Sequence, residues 1–499
     1  MVGIPGRSKG CATCRRRKKG CDQAIPVCSQ CKKSGLRCGG YSRDLTFVHS
    51  AVQCSVLSSN NGDGSTRTPQ RPWLARYAKP STEAKIIIQD SLIRSAREQL
   101  YLGHLWDVML PKGHRAAVGS ARQGDTGWGT LISSLYDKEP SLRYVVVATA
   151  MGCLSFSGTG RRDMLIKSLE SYTAAVREIG KELKGQAAYE RDGLVVASAL
   201  MASFELVFVV NDEPTALAWA GHSEGQLAMF LARGPEAFTN GVAHQLFVDS
   251  RINMAMLAIG KRQSSPLNDM KWKTIPWRTQ KKSLKDSLMD IILDIPQLLE
   301  QLTILQACSC PVGGKVQRSQ LLNACEGVES ALARWASRFG TQILKFDYTV
   351  TGLPLPTPCD GSEFSLLHSS IIYWFTGMML FSVKSIALNL TTPDGIEMLQ
   401  VNALARKCGR AIPLLFESSA GLSENISGLM ALSVAIRYFA VTELPGQQSE
   451  EARGLESLLT KTLAGTSVHK LLKRINGGRD AVLDNETEQP QHTRMLGWL

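Results

Sequence analysis

The chain has 499 residues, 44% of them hydrophobic, with 57 Lys+Arg against 44 Asp+Glu and a formal net charge of +13. That length excludes a small disulfide-stapled scaffold and leaves room for a large core plus an appended module. The charge is uneven, since residues 1–50 hold eleven Lys/Arg and only Asp22 and Asp44, a local +9 that leaves +4 elsewhere, so one end suits a polyanion partner.

In chain order, Met1 to Gly10 is polar and Gly-rich with no apolar run, so no secretory signal is expected there. Six of the thirteen cysteines then fall within 28 residues. Cys11, Cys14, Cys21, Cys28, Cys31 and Cys38 are spaced C-x2-C-x6-C-x6-C-x2-C-x6-C, a unit repeated once. Two tetrahedral zinc ions ask for eight sulfur contacts where six cysteines supply six, so two sulfurs must serve both ions. The metals must then lie close together, and the flanking Arg15, Arg16, Arg17, Lys18, Lys19, Lys32 and Lys33 favour deprotonated ligands and any nearby phosphate. A single zinc site built from Cys11, Cys14, Cys28 and Cys31 leaves the matched offsets of Cys21 and Cys38 unexplained. Three disulfides conflict with the other seven cysteines, which read as buried free thiols of a reduced, intracellular compartment.

The segment CATCRRRKKGCDQAIPVCSQCKKSGLRCGGY resembles the fungal-type Zn2Cys6 binuclear zinc-cluster DNA-binding domain over residues 7–45. The matching features are Arg15, the basic run to Lys19, Cys21-Asp22, Pro26 and Gly40-Tyr41. The resemblance implies that Cys11 and Cys28 bridge two Zn2+. It further implies that a short helix after Cys14 enters the major groove of double-stranded DNA and reads a CGG-like triplet, with Lys18 making the key base contact. A Lys or Arg donor suits the O6 and N7 acceptors of guanine, while Arg15, Arg16, Arg17 and Lys19 are expected mainly on phosphates. Nuclear import is a second use for the run, and a nuclear transcription factor for RNA polymerase II genes is the implied function. Family members of this kind often control a metabolic, secondary-metabolite gene cluster. A zinc-stabilised protein-binding scaffold is the competing reading.

Residues 46–82 are expected to be a flexible linker, because SSNNGDGSTRTPQRP is rich in turn formers. Leu45, Val48, Val52 and Val56 supply at most two heptads, too few for a convincing coiled coil, so homodimerisation through another region and binding beside a co-regulator both stay open. Beyond the linker, apolar residues recur at helical spacing in 83–110, 213–232, 284–308, 319–338 and 400–417. One such stripe joins Met164, Leu165, Leu169, Tyr172, Val176, Ile179 and Leu183. The expected fold is thus a small two-helix zinc module plus a large all-α regulatory or effector domain over 83–475, with 476–499 a loosely ordered tail. Phe364 to Val383 carries no Asp, Glu, Lys or Arg, but its serines, threonine and histidine favour a buried core helix over a membrane span.

Two features of this second region bear on function. EPTALAWAGHSEGQLAMFLARGPEAF, DSRINMAMLAIGKRQSSP and KTIPWR resemble the helical regulatory domain that follows the zinc cluster in many fungal-type regulators, with Trp219, His222, Gly225 and Arg233-Gly234-Pro235 in matching places. That resemblance implies ligand sensing, autoinhibition or cofactor recruitment, without assigned chemistry. Gly221-His222-Ser223-Glu224-Gly225 also satisfies the G-x-S-x-G pattern of serine hydrolases. Ala216, Leu217, Ala218, Trp219 and Ala220 favour helix over the strand that a nucleophile elbow needs, so the chain is not expected to be an enzyme.

Overall fold

The computed structural model describes residues 11–22, 24, 27–38, 87–110, 132, 135–157, 161–209, 214–308, 310–388, 396–444 and 446–461. The expectations for the linker 46–82, the tail 476–499, Leu45 to Val56, Pro26 and Gly40-Tyr41 fall outside these residues. The chain forms two compact units, Met1–Ala84 and Lys85–Leu499. Helices occur in both, and no strand occurs among the described residues.

The first unit contains two one-turn helices, α1 (Ala12–Arg16) and α2 (Ser29–Lys33). Its core consists of sulfur: Cys11, Cys14, Cys28 and Cys31 are fully buried, with Cys21 and Cys38 packed against them. The larger apolar side chains Val27 and Leu36 are more than 40% exposed. Among the described residues of this unit hydrophobic burial is therefore too small to hold the fold, which must draw on metal binding.

The second unit runs through α3 (Ile87–Met109), α4 (Pro140–Ser157), α5 (Arg161–Glu182), α6 (Asp192–Phe204), α7 (Pro214–Arg233) and α8 (Gly241–Lys261). It continues with α9 (Leu284–Ile292), α10 (Ile295–Ala307), α11 (Pro311–Ile343), α12 (Gly361–Ala387), α13 (Ile396–Ala411), α14 (Gly421–Thr442) and α15 (Glu450–Lys461). Segment 284–308 is two helices where one apolar pattern was expected. Ser283 and Asp286 close a capping box at the start of α9, and Pro296 fits only the first turn of a new helix. Segment 400–417 likewise ends as a helix at Ala411, where Pro413 imposes a tighter turn over Ile412–Phe416.

The stripe on α5 is rotated from its expected position. Val176 and Leu183 are exposed, whereas Ser168, Tyr172, Ala175 and Ile179 are buried. Small residues let α5 approach α4 closely, and the Ser168 hydroxyl donates to the Ala148 carbonyl at 2.6 Å. Residues 364–383 lie in α12 and are mostly buried within the unit, as expected of a core helix. Its hydroxyls bond back along the helix, Ser369 to Ser365 O, Ser370 to Leu366 O and Thr376 to Ile372 O at 2.7–2.9 Å, which satisfies them in an apolar setting. Two other stretches, Asp192–Val209 and α14, are also long and apolar enough to cross a membrane by length and composition alone.

The start and end of the helical unit meet. Gly421 opens α14 at φ +78°, and a β-carbon there would lie 2.6 Å from the Leu110 carbonyl carbon, so only glycine allows that approach. Ser423 donates to the Met109 carbonyl at 2.6 Å beside it.

Candidate metal centre and nucleic-acid interface

The six cysteine sulfurs gather into two groups of four, Cys11, Cys14, Cys21 and Cys28, and Cys11, Cys28, Cys31 and Cys38, each with sulfurs within 4.8 Å of one another. Cys11 and Cys28 are common to both. The Cys11–Cys28, Cys14–Cys28 and Cys11–Cys31 sulfurs are each 3.7 Å apart. A zinc ion with sulfur ligands at ~2.3 Å has tetrahedral edges of ~3.8 Å, so the spacing fits the metal. Burial and the adjacent Cys11 sulfur push the Cys14 thiol up to about 12, and burial also raises Cys31. Thiols packed this way surrender their protons to a cation, and bound Zn2+ supplies that charge.

Local structure repeats with the cysteines at an offset of 17 residues. Cys14 N–H donates to Cys11 Sγ and Cys31 N–H to Cys28 Sγ, both at 3.3 Å. Arg17 N–H bonds Thr13 O and Ser34 N–H bonds Gln30 O, while Lys19 N–H bonds Cys14 O and Leu36 N–H bonds Cys31 O, all at 3.0–3.2 Å. Each first cysteine thus caps its own helix with its sulfur. For this reason α1 starts at Ala12 and contains Cys14, whereas the sequence pointed to a helix after Cys14. Two further contacts, not anticipated from the sequence, tie the halves together. Asp22 accepts from Ser29 N–H at 3.0 and 3.2 Å, bonds that hold its carboxyl below the usual carboxylate range, and the Thr13 hydroxyl donates to Arg37 O at 2.9 Å.

Of the basic run, Arg16, Arg17, Lys18 and Lys19 are exposed, as are Lys32 and Lys33. Arg15 and Arg16 lie within α1, while Lys18 and Lys19 lie just beyond it. Lys18 has φ +50°, the left-handed region, and its counterpart in the second half is Gly35 at φ +62°. The turn needs this conformation in both halves. Glycine adopts it freely, while a lysine there costs about 1 kcal/mol.

In the helical unit, Gly221 to Gly225 lie inside the uninterrupted α7, so the pentapeptide lacks the strand-to-helix turn of a hydrolase. Ser223 is buried, and His222 Nε2 meets the Tyr172 hydroxyl at 2.9 Å, which itself donates to Glu205. The residues of the regulatory-domain resemblance form structural ties. Arg233 reaches Asp192 at 2.6 Å, and the fully buried Arg251 pairs with Asp290 and lies 4.5 Å from the Trp277 ring. A cavity of about 620 Å³ opens among α6, α7, α8, α9, α12 and α14, with Gln226, Asp249, Asn253, Lys281, Lys285 and Glu424 among its lining residues. The cysteines outside the first unit divide. Cys153, Cys325 and Cys408 are buried, but Cys310 and Cys359 are exposed and Cys308 half-buried, contrary to the expectation of buried thiols, because these three lie in connections between helices.

Comparison with known proteins agrees with the sulfur geometry. Residues 9–46 match the fungal Zn(2)-Cys(6) binuclear cluster domain. The chain is 42% identical over 77 residues to Arginine metabolism regulation protein II of Saccharomyces cerevisiae, a match covering 13% of this chain and 9% of that protein. It is 52% identical over 33 residues to an uncharacterized transcriptional regulatory protein of the same yeast, covering 7% of this chain and 2% of that protein. The chain therefore spans less than a tenth of the length of these relatives, and no solved structure matches it. Residues 9–46 are therefore a fungal-type binuclear cluster domain that binds two zinc ions.

Proposed function

We propose that the chain is a nuclear, sequence-specific DNA-binding regulator of RNA polymerase II transcription. In this reading Cys11 and Cys28 bridge the zinc ions, with Cys14, Cys21, Cys31 and Cys38 as terminal ligands. Lys18 reads guanine in a CGG-like triplet, while Arg15, Arg16, Arg17 and Lys19 grip phosphates. The observation that carries it is Lys18, an exposed cationic side chain kept in a left-handed turn where the repeat uses glycine. A lysine kept where the repeat uses glycine fits a role for its side chain. Control of a metabolic, secondary-metabolite gene cluster extends the reading; the printed name of the first relative, which concerns arginine metabolism, supports only the metabolic part of it.

The helical unit serves as the regulatory part, and its cavity, lined by both polar and apolar groups, lies within the size range of small-molecule sites. The test is selection from a random duplex pool by the full chain at fixed salt, with zinc and after chelation. Enrichment of CGG-containing duplexes that disappears on chelation is expected. Binding without enrichment would reduce the run to a non-specific arm, and no binding would favour a zinc-stabilised scaffold.

A further inference from the structure

The connection between α10 and α11 reads Cys308-Ser309-Cys310-Pro311, and both of its thiols border the same glycine of α11. Cys308 and Cys310 both have extended backbone, with φ −81° and −87°. Gly313, in the first turn of α11, measures their convergence. A β-carbon on that glycine would lie 3.4 Å from Cys308 Sγ and 3.8 Å from Cys310 Sγ. Cys308 Sγ also bonds the Cys310 carbonyl at 3.6 Å. The two thiols differ in setting, since Cys310 is exposed and Cys308 half-buried.

We propose that Cys308 and Cys310 form an oxidisable dithiol that hydroperoxides convert to an intrachain disulfide. The Cys310 thiolate attacks the peroxide oxygen, giving a sulfenic acid as the O–O bond breaks and the alcohol, or water from hydrogen peroxide, departs with a proton. The Cys308 sulfur then attacks the sulfenic sulfur, forming the S–S bond and releasing water, so two thiols and one hydroperoxide yield one disulfide. Backbone N–H groups of Gly313 and Val312 at the start of α11 hold the Cys310 thiol below its usual range, which fits it for the attacking role. Cys308 is the resolving partner. The site lies in the helical unit, apart from the cysteines of the zinc cluster, and does not depend on the reading of DNA function.

The test uses the zinc-loaded full chain treated with one equivalent of hydrogen peroxide, then blocked with N-ethylmaleimide and digested with trypsin. The peptide Asp286 to Lys315 contains Cys308 and Cys310 and no other cysteine. It should appear unalkylated and lighter by two hydrogens, and return to the doubly alkylated form when a reductant precedes blocking. Cys308→Ser should instead leave a sulfenic acid on Cys310 that dimedone captures, while Cys310→Ser should leave Cys308 as a free thiol. The proposal fails if the wild-type peptide remains doubly alkylated, if Cys310 proceeds to sulfinic acid beside a free Cys308, or if bridges form only between chains.

Discussion

The zinc module and the helical unit exclude water with different chemistry. Among the described residues of the module the buried side chains are four cysteines and the small Thr13, and the larger apolar groups Val27 and Leu36 face solvent. In the helical unit burial falls to residues such as Trp374, Phe204, Phe230 and Leu142, and the fully buried Arg251 enters the core paired with Asp290. A short segment cannot bury enough apolar surface to offset its chain entropy, so metal–sulfur bonds take that role. The longer unit meets the same requirement by packing helix against helix. Stability should therefore respond to metal in one region and to side-chain volume and charge pairing in the other.

The largest expected effect separates bridging from terminal ligands. Cys28→Ser should abolish binding of both zinc ions, because its sulfur belongs to both groups of four, whereas Cys14→Ser opens only one group. Structural zinc contributes on the order of 10 kcal/mol to such modules, so loss of both ions should unfold this one. Zinc counted per chain by native mass spectrometry checks this, and equal losses in the two variants would remove the bridging assignment. Next, Arg251→Ala should destabilise the helical unit by about 3–5 kcal/mol by breaking a buried ion pair, with zinc content unchanged. Thermal unfolding followed by circular dichroism measures it.

Smaller effects concern the turn after α1. Lys18→Ala should weaken binding to a selected duplex by about 1–3 kcal/mol while leaving random duplex almost unaffected, in titrations at constant salt. An equal loss on both duplexes would make Lys18 a phosphate contact. Lys18→Gly should show the same specific loss yet stabilise the zinc-bound module by about 1 kcal/mol, since glycine relieves the left-handed backbone. Resistance to zinc release by a competing chelator reports that gain.

The two regions also differ in how much of each could be read before the structure. Ligand spacing is a local property, so the six cysteines and the basic run were legible from position alone. The strain at Lys18 had a signal too, in the lysine that stands 17 residues before Gly35 in the repeat, but only the backbone angle gives it meaning. In the helical unit the period of 3.6 marked α5 and α7, yet the buried seam of α5 passes through Ser168 and Ala175 rather than Val176 and Leu183. Close helix packing selects small residues, which a search for large apolar side chains passes over. The Arg251–Trp277 contact and the surface position of Cys308, Cys310 and Cys359 depend on how helices are connected and stacked, information that no single stretch of sequence carries.

The most direct measurement removes zinc stepwise from the full chain while following duplex binding and helical circular dichroism in the same samples. DNA binding should fall in step with zinc content while the helical signal stays nearly constant. Specific binding that persists after both ions are gone would contradict the account.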